Sequence, residues 1–180
     1  MIPDELRTDR LALRPFEFSD VSDVVAYAND KEWSKFLPVP FPYTVRDAEQ
    51  VLARSKLTDR GHHPSWAITL KSRAIGGIDI RFDSDYRLAE IAYSIGRPHW
   101  NRGYATEAAQ TIIDAAFTNV SELDRIRSHA DVRNKGSLRV MQKVGMRLDG
   151  CLRSNRVMKD EAVDDEYYSI LRREWNAGRA

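Results

Sequence analysis

The stretch Trp100-Asn101-Arg102-Gly103-Tyr104-Ala105-Thr106-Glu107 carries the residue types that a diphosphate needs. It stands between an alternating apolar segment and an alanine-rich one, so it reads as the turn from a strand into a helix. Free backbone N–H groups and the positive end of the helix dipole converge at such a turn. A pyrophosphate binds there when small residues let the backbone come close. Gly103 and Ala105 permit that approach, Thr106 adds a hydroxyl, and Arg102 adds a cation. Taken alone, the same residues also suit an ordinary strand-to-helix turn with a glycine for geometry. No G-x-x-x-x-G-K-[ST] occurs, and no G-x-G-x-x-G follows a strand, which argues against P-loop and dinucleotide-binding domains.

Other reactive side chains are more scattered. Cys151 is the single cysteine; beside Leu152 it reads as core. His62 and His63 adjoin in a loop without cysteine or carboxylate partners at metal-ligand spacing, so no metal site is expected. His99 precedes the turn and reads as a surface residue with a possible part in proton transfer. The acidic positions Asp160, Glu161, Asp164, Asp165 and Glu166 surround a predicted hairpin; they read as solvated turns or as an attractor for a cationic amine. The aromatic segment from Trp33 to Tyr43, with Trp33, Phe36, Leu37 and Phe41, is expected to be a loop that shapes a substrate site or caps the sheet.

Periodicity supplies the elements that position these groups. Leu11 and Leu13 alternate with polar neighbours in a first strand ending at Pro15. Ser19-Asp20 is suited to cap a helix with Val21, Val24, Val25 and Ala28 on its apolar side. Thr44 and Asp47 have the capping-box spacing ahead of Ala48, Val51 and Leu52. Trp66–Leu70, Ala74–Phe82 and Arg87–Ile95 read as three strands, and their short links make an antiparallel meander. A helix follows from about Tyr104 to Asn119, then a strand from Arg125 to Val132, a short helix from Ser137 to Val144, and strands near Met146–Val157 and Val163–Leu171. The crossover from Arg87 to Val132 implies one parallel pair. The expectation is one α/β (α+β) domain over residues 1–180, with a mixed, mostly antiparallel sheet of about seven strands and helices on both faces.

Composition excludes several classes. The chain has 180 residues, 42% hydrophobic and 31% charged, a size that suits one core. A net charge of +1 gives no bulk reason to expect nucleic acid or an anionic membrane as partner. No apolar run reaches the ~20 residues of a membrane span. Met1 to Glu5 lacks the basic and apolar regions of a signal peptide, and a cytoplasmic protein is expected.

Five segments taken in order carry a resemblance: Leu11 to Pro15, Glu90 to Tyr93, Trp100 to Ala108, Asn134 to Ser137, and Lys143 to Met146. Together they resemble the GNAT superfamily of acetyl-CoA-dependent N-acetyltransferases, and within it the branch of ribosomal-protein N-terminal acetyltransferases. The matching motifs span about residues 8–172. The resemblance implies a splayed parallel strand pair that receives the pantetheine arm. Tyr93, Ser94 and Ile95 would meet pantetheine through backbone groups, Asn101 to Thr106 would hold the pyrophosphate, and Asn134 and Ser137 would lie near the thiol end. Asn101 stands where the family has a glycine, and Ala92 replaces another. Met141 stands where many members carry a tyrosine acid, so Ser137 is the candidate proton donor, with a helix N-cap as its other reading. Glu90 is the candidate base, with an arginine salt bridge as its other reading. Trp33 and Phe36 are candidate substrate contacts.

The implied activity is direct transfer of acetyl from acetyl-CoA to a primary amine, either a protein N-terminus or a small molecule. Acetyl-CoA and the amine are the expected partners, without metal. The competing reading is a non-catalytic acetyl-CoA-binding module. A homodimer is expected as the default for a small enzyme.

Overall fold

The computed structural model describes residues 1–178. Its elements in chain order are β1 (Leu6–Arg7), β2 (Ala12–Arg14), α1 (Val21–Ala28), α2 (Lys31–Ser34), α3 (Val45–Leu57), β3 (Ser65–Leu70), β4 (Arg73–Phe82), β5 (Leu88–Ile95), α4 (Tyr104–Asn119), β6 (Arg125–Asp131), α5 (Lys135–Lys143), β7 (Arg147–Met158), β8 (Glu161–Leu171) and α6 (Arg172–Ala177). The strands form one eight-stranded sheet in the order β1-β2-β3-β4-β5-β6-β8-β7, with β5 and β6 as its parallel pair. The added strand is the two-residue β1, too short to leave a periodic signal.

Alternation along the strands divides two cores. Trp66 and Ile68 of β3 join Ile78, Ile80 and Ile91 under α4, whereas Ala67 between them packs with Phe16, Val24, Ala48 and Leu52 under α1 and α3. α4 lays Ala108, Ala109, Ile112, Ile113 and Ala116 on the sheet, all fully buried, and its alanines permit close approach. α3 starts with the expected box: Asp47 N–H donates to the Thr44 hydroxyl oxygen, and Thr44 N–H donates to the Asp47 carboxylate.

Other local expectations were redirected by tertiary partners. The Asp20 carboxylate does not cap α1 but accepts from Glu17 N–H and takes both guanidinium nitrogens of Arg14. The aromatic segment contains the single turn α2, begun by Asp30, whose side chain accepts from Glu32 and Trp33 N–H. Trp33 is buried there, edge-on to Tyr27 and Tyr43. α5 starts at Lys135 and is capped by Asn134, which accepts from Ser137 N–H. Cys151 is exposed on the edge strand β7 and not core. Among the described residues no helix is long and apolar enough to cross a membrane, and no cluster suits a metal ion.

Strands β5 and β6 pair only at Leu88–Arg125, Ala89–Ile126 and Glu90–Arg127. Each continues past that point beside its other neighbour, β5 with β4 to Ile95 and β6 with β8 to Asp131. A wedge therefore opens in the sheet, and the Ser128 hydroxyl marks its fork by donating to the Ile91 carbonyl at 2.9 Å.

Candidate functional site

The wedge begins with unpaired backbone. Peptide groups of successive strand residues point to opposite edges. Because Ile91 turns its carbonyl to β6, Tyr93 and Ile95 turn theirs into the wedge, while Ser94 pairs with Gly77 of β4. The Ile95 carbonyl is occupied, since Trp100 Nε1 donates to it at 2.6 Å. Gly96 N–H is also occupied, by the Ile75 carbonyl at 2.8 Å. The Ile95 N–H and both Tyr93 groups remain to face a ligand. Gly96 itself is required: a Cβ there would lie 2.5 Å from Tyr27 Cβ.

The turn into α4 uses two left-handed residues, Asn101 at φ +59° and Gly103 at φ +82°. Asparagine tolerates that conformation better than most other side chains. Gly103 is the N-cap and offers no side chain, so the first N–H groups of α4 stay free. Arg10 braces the turn from outside: it donates to the Arg102 carbonyl at 2.9 Å, bonds Glu107 at 2.6 Å and covers the Tyr104 ring at 4.7 Å. Thr8 also donates to Glu107. Burial opposes ionisation of Glu107, but the bonds from Thr8 and Arg10 outweigh it and hold the carboxyl below its ordinary value.

A cavity of about 650 Å³ lies at the wedge. On the α4 face it is lined by Tyr93, Ile95, Asn101, Gly103, Tyr104, Ala105 and Thr106. α5 contributes Ser137, with Asn134 just before it. Ser94 joins from the opposite face of β5, where α2 and the loop after it supply Trp33, Phe36 and Leu37. The lining is thus drawn from both sides of the sheet. A second, shallow groove of about 810 Å³ runs along the edge strand β7 past Cys151, Leu152 and Arg153. It lies open to solvent and gathers no buried polar groups.

Across the wedge, Tyr93 Oη donates to the Ser137 carbonyl at 3.1 Å, and Ser137 Oγ donates to Tyr93 Oη at 3.2 Å. Burial pushes the Tyr93 hydroxyl well above its ordinary value, so it stays protonated at neutral pH. Since Asn134 caps α5, the Ser137 hydroxyl is not spent on the cap. Met141 is fully buried in the core and has no proton to give.

Glu90 stands apart from the cavity lining. Its carboxylate pairs with Arg127 at 2.9 Å and Arg81 at 3.1 Å, with His129 Nδ1 at 3.7 Å. The ion-pair reading of Glu90 therefore has direct geometric support. Arg102 is exposed beside the turn and does not line the cavity. Sequence reasoning missed Glu32, Arg133 and the α5 cations Lys135, Arg139 and Lys143. The last three have i, i+4 spacing along one helix stripe, a signal available in the sequence. His99, expected at the surface, lines the cavity with its Nδ1 buried and unpartnered. Desolvation first, and then the Arg102 charge, lower its proton affinity. His62 and His63 are tied to Asp59 and Asp79 instead of facing each other as ligands. The acidic hairpin positions are also engaged: Asp165 holds Arg156, and Glu161 holds Arg133.

Residues 10–147 match the acetyltransferase (GNAT) domain family. The chain is 30% identical over 177 residues to the uncharacterized N-acetyltransferase p20 of Bacillus licheniformis, covering 96% of this chain and 98% of that protein. Its fold matches the crystal structure of a GNAT-family acetyltransferase from Bacillus anthracis with a TM-score of 0.83 at 28% identity, over 94% of this chain and 99% of that one. It also matches the microcin C7 self-immunity acetyltransferase MccE, solved in complex with acetyl-CoA and AMP, with a TM-score of 0.85 at 19% identity over 94% of this chain and 97% of that one. The last is a likeness of fold.

Proposed function

The chain belongs to the acetyltransferase (GNAT) family, and from that premise we propose that the wedge cavity carries out direct acetyl transfer to a primary amine in a ternary complex. The coarse activity follows from membership: the protein is an N-acetyltransferase that draws on acetyl-CoA. The site assignments and the order of contacts are our reading. The observation that carries it is a single cavity at the wedge lined from both faces of the sheet, which suits a donor on the α4 face and an acceptor on the α2 face.

The residues fit the donor. Free N–H groups at Tyr104 to Thr106 suit its pyrophosphate, as Lys135, Arg139 and Lys143, without an ion pair among the described residues, suit further phosphate charge. The Tyr93 backbone suits an extended amide-bearing arm that continues the open strand edge. When bound, acetyl-CoA supplies an acetyl thioester and a thiolate leaving group. Ile95 N–H is then the donor available to the oxygen on which charge develops, because Gly96 N–H is committed elsewhere. Ser137 Oγ turns its proton from the Tyr93 oxygen to the leaving sulfur, and the proton released by the attacking amine replaces it, so the serine ends as it began. The ammonium must lose a proton before it attacks, and in this reading that proton leaves through water. Glu90 shares the Ser94 face of β5 but is held by Arg81 and Arg127 outside the cavity lining, so no step is assigned to it.

Calorimetric titration with acetyl-CoA tests the assignment, with NAD as the negative control. Tight binding of acetyl-CoA that Gly103→Val abolishes supports it. Binding by wild type that survives Gly103→Val removes the turn from the donor site. A protein that binds acetyl-CoA yet releases no thiol with any amine is the non-catalytic module instead.

A further inference from the structure

The charges lining the cavity are segregated. Lys135, Arg139 and Lys143 stand on α5, on the α4 face, and make no ion pair among the described residues. Arg133 lies near them, but Asp131 and Glu161 neutralise it. The lining has one carboxylate, Glu32, on α2 across the sheet, and it too makes no ion pair among the described residues. Its acidic neighbour Asp30 is engaged by Arg97.

Around Glu32 the wall is apolar. Trp33 is 8% exposed and fixed edge-on by Tyr27 at 5.5 Å and Tyr43 at 6.2 Å, so it presents a rigid surface. Phe36 and Leu37 are partly exposed and extend that surface along the cavity. The nearby cations do not line it: Lys35 sits over the Phe36 ring, and Lys159 from the β7–β8 turn donates to the Ser34 carbonyl at 2.7 Å.

Resting on the transferase reading above, we infer that the acceptor is a primary ammonium carried on an apolar, carboxylate-free body, bound with its charge on Glu32 and its hydrocarbon against Trp33, Phe36 and Leu37. A carboxylate next to the amine would meet Glu32 as a like charge with no free lining cation on that side. A polar body would give up water to the hydrocarbon wall of Trp33, Phe36 and Leu37. The same chemistry is offered by a small arylalkylamine and by a peptide whose first residue is apolar, because a peptide bond removes the α-carboxylate.

Initial rates of thiol release decide it, using phenethylamine, a tetrapeptide beginning with Phe, free phenylalanine and ethanolamine. We expect kcat/KM for phenethylamine or the peptide to exceed that for free phenylalanine and ethanolamine at least tenfold; whichever of the two leads identifies the source. In Glu32→Gln the KM of the leading amine should rise about fivefold, the scale of one exposed ion pair, with the KM for acetyl-CoA unchanged. Phe36→Ala should lower the preference for the aromatic body over ethanolamine. Equal or better use of free phenylalanine or ethanolamine overturns the inference, as does an unchanged amine KM in Glu32→Gln. If acetyl-CoA binds and none of the four amines is acetylated, this inference falls while the donor site stands. If acetyl-CoA does not bind, the transferase reading falls with it.

Discussion

The hydroxyl groups of Tyr93 and Ser137 meet at 3.2 Å across the wedge between β5 and α5. One comes from a strand and one from a helix, and they are the only paired hydroxyls among the described residues that line the cavity. The arrangement supplies proton-donating groups where Met141 leaves the core side without one. Ser137→Ala is expected to lower kcat roughly a hundredfold, the usual scale of lost acid catalysis, with acetyl-CoA affinity held within about threefold. Stopped-time thiol release and calorimetry read the two quantities separately. An unchanged kcat would reduce Ser137 to a contact.

Gly103 has φ +82° at the N-cap of α4. Valine there is strained whatever the space, costing about 1–3 kcal/mol, and its side chain meets the Arg10 brace. The variant should melt lower yet remain folded, and lose acetyl-CoA binding. Asn101→Gly, at φ +59°, should bind acetyl-CoA as wild type does, since glycine adopts that conformation freely. Loss of binding in Asn101→Gly would show that the asparagine side chain itself holds the donor.

Glu90 bridges Arg81 and Arg127, joining β4, β5 and β6 at the closed end of the wedge. Glu90→Gln removes the charge both arginines share. A loss of about 1 kcal/mol in stability is expected, with acetyl-CoA affinity preserved. A turnover drop below tenfold would confine Glu90 to holding the fork, and a hundredfold drop at unchanged melting temperature would make it the proton acceptor.

The Glu107 carboxyl titrates below its ordinary value of 4.5 because Thr8 and Arg10 bind its charged form. The native state therefore holds fewer protons than the unfolded chain near that pH, and stability rises with pH through the window. The contribution is complete above about pH 4.5 and disappears as the pH falls through the lowered native value. Denaturant midpoints of wild type and Glu107→Gln should differ at pH 7 and converge toward pH 3. A constant gap between them would remove the ionised form from the brace.

Local signals in the sequence determined the elements. Capping spacing at Thr44 and Asp47, the alanine face of α4, and strand alternation at Trp66 to Ile68 each act within a few residues, so the chain displays them in order. The turn at Asn101 to Gly103 was legible for the same reason, because left-handed positions select asparagine and glycine. The two-residue β1, the single turn α2 and the six-residue α6 were not, since none is long enough for a period to show.

Only the tertiary structure decided what those elements bring together. The cavity takes its lining from α2, β5, α4 and α5, which are distant in sequence and lie on both faces of the sheet. Which carboxylate meets which arginine depends on the register of β4, β5 and β6, and one residue of slip would turn Glu90 to the other face. Asn134 took the cap that Ser137 was suited to, and that exchange freed the Ser137 hydroxyl for Tyr93. Periodicity reports which side of an element is buried; it carries no record of the partner waiting there.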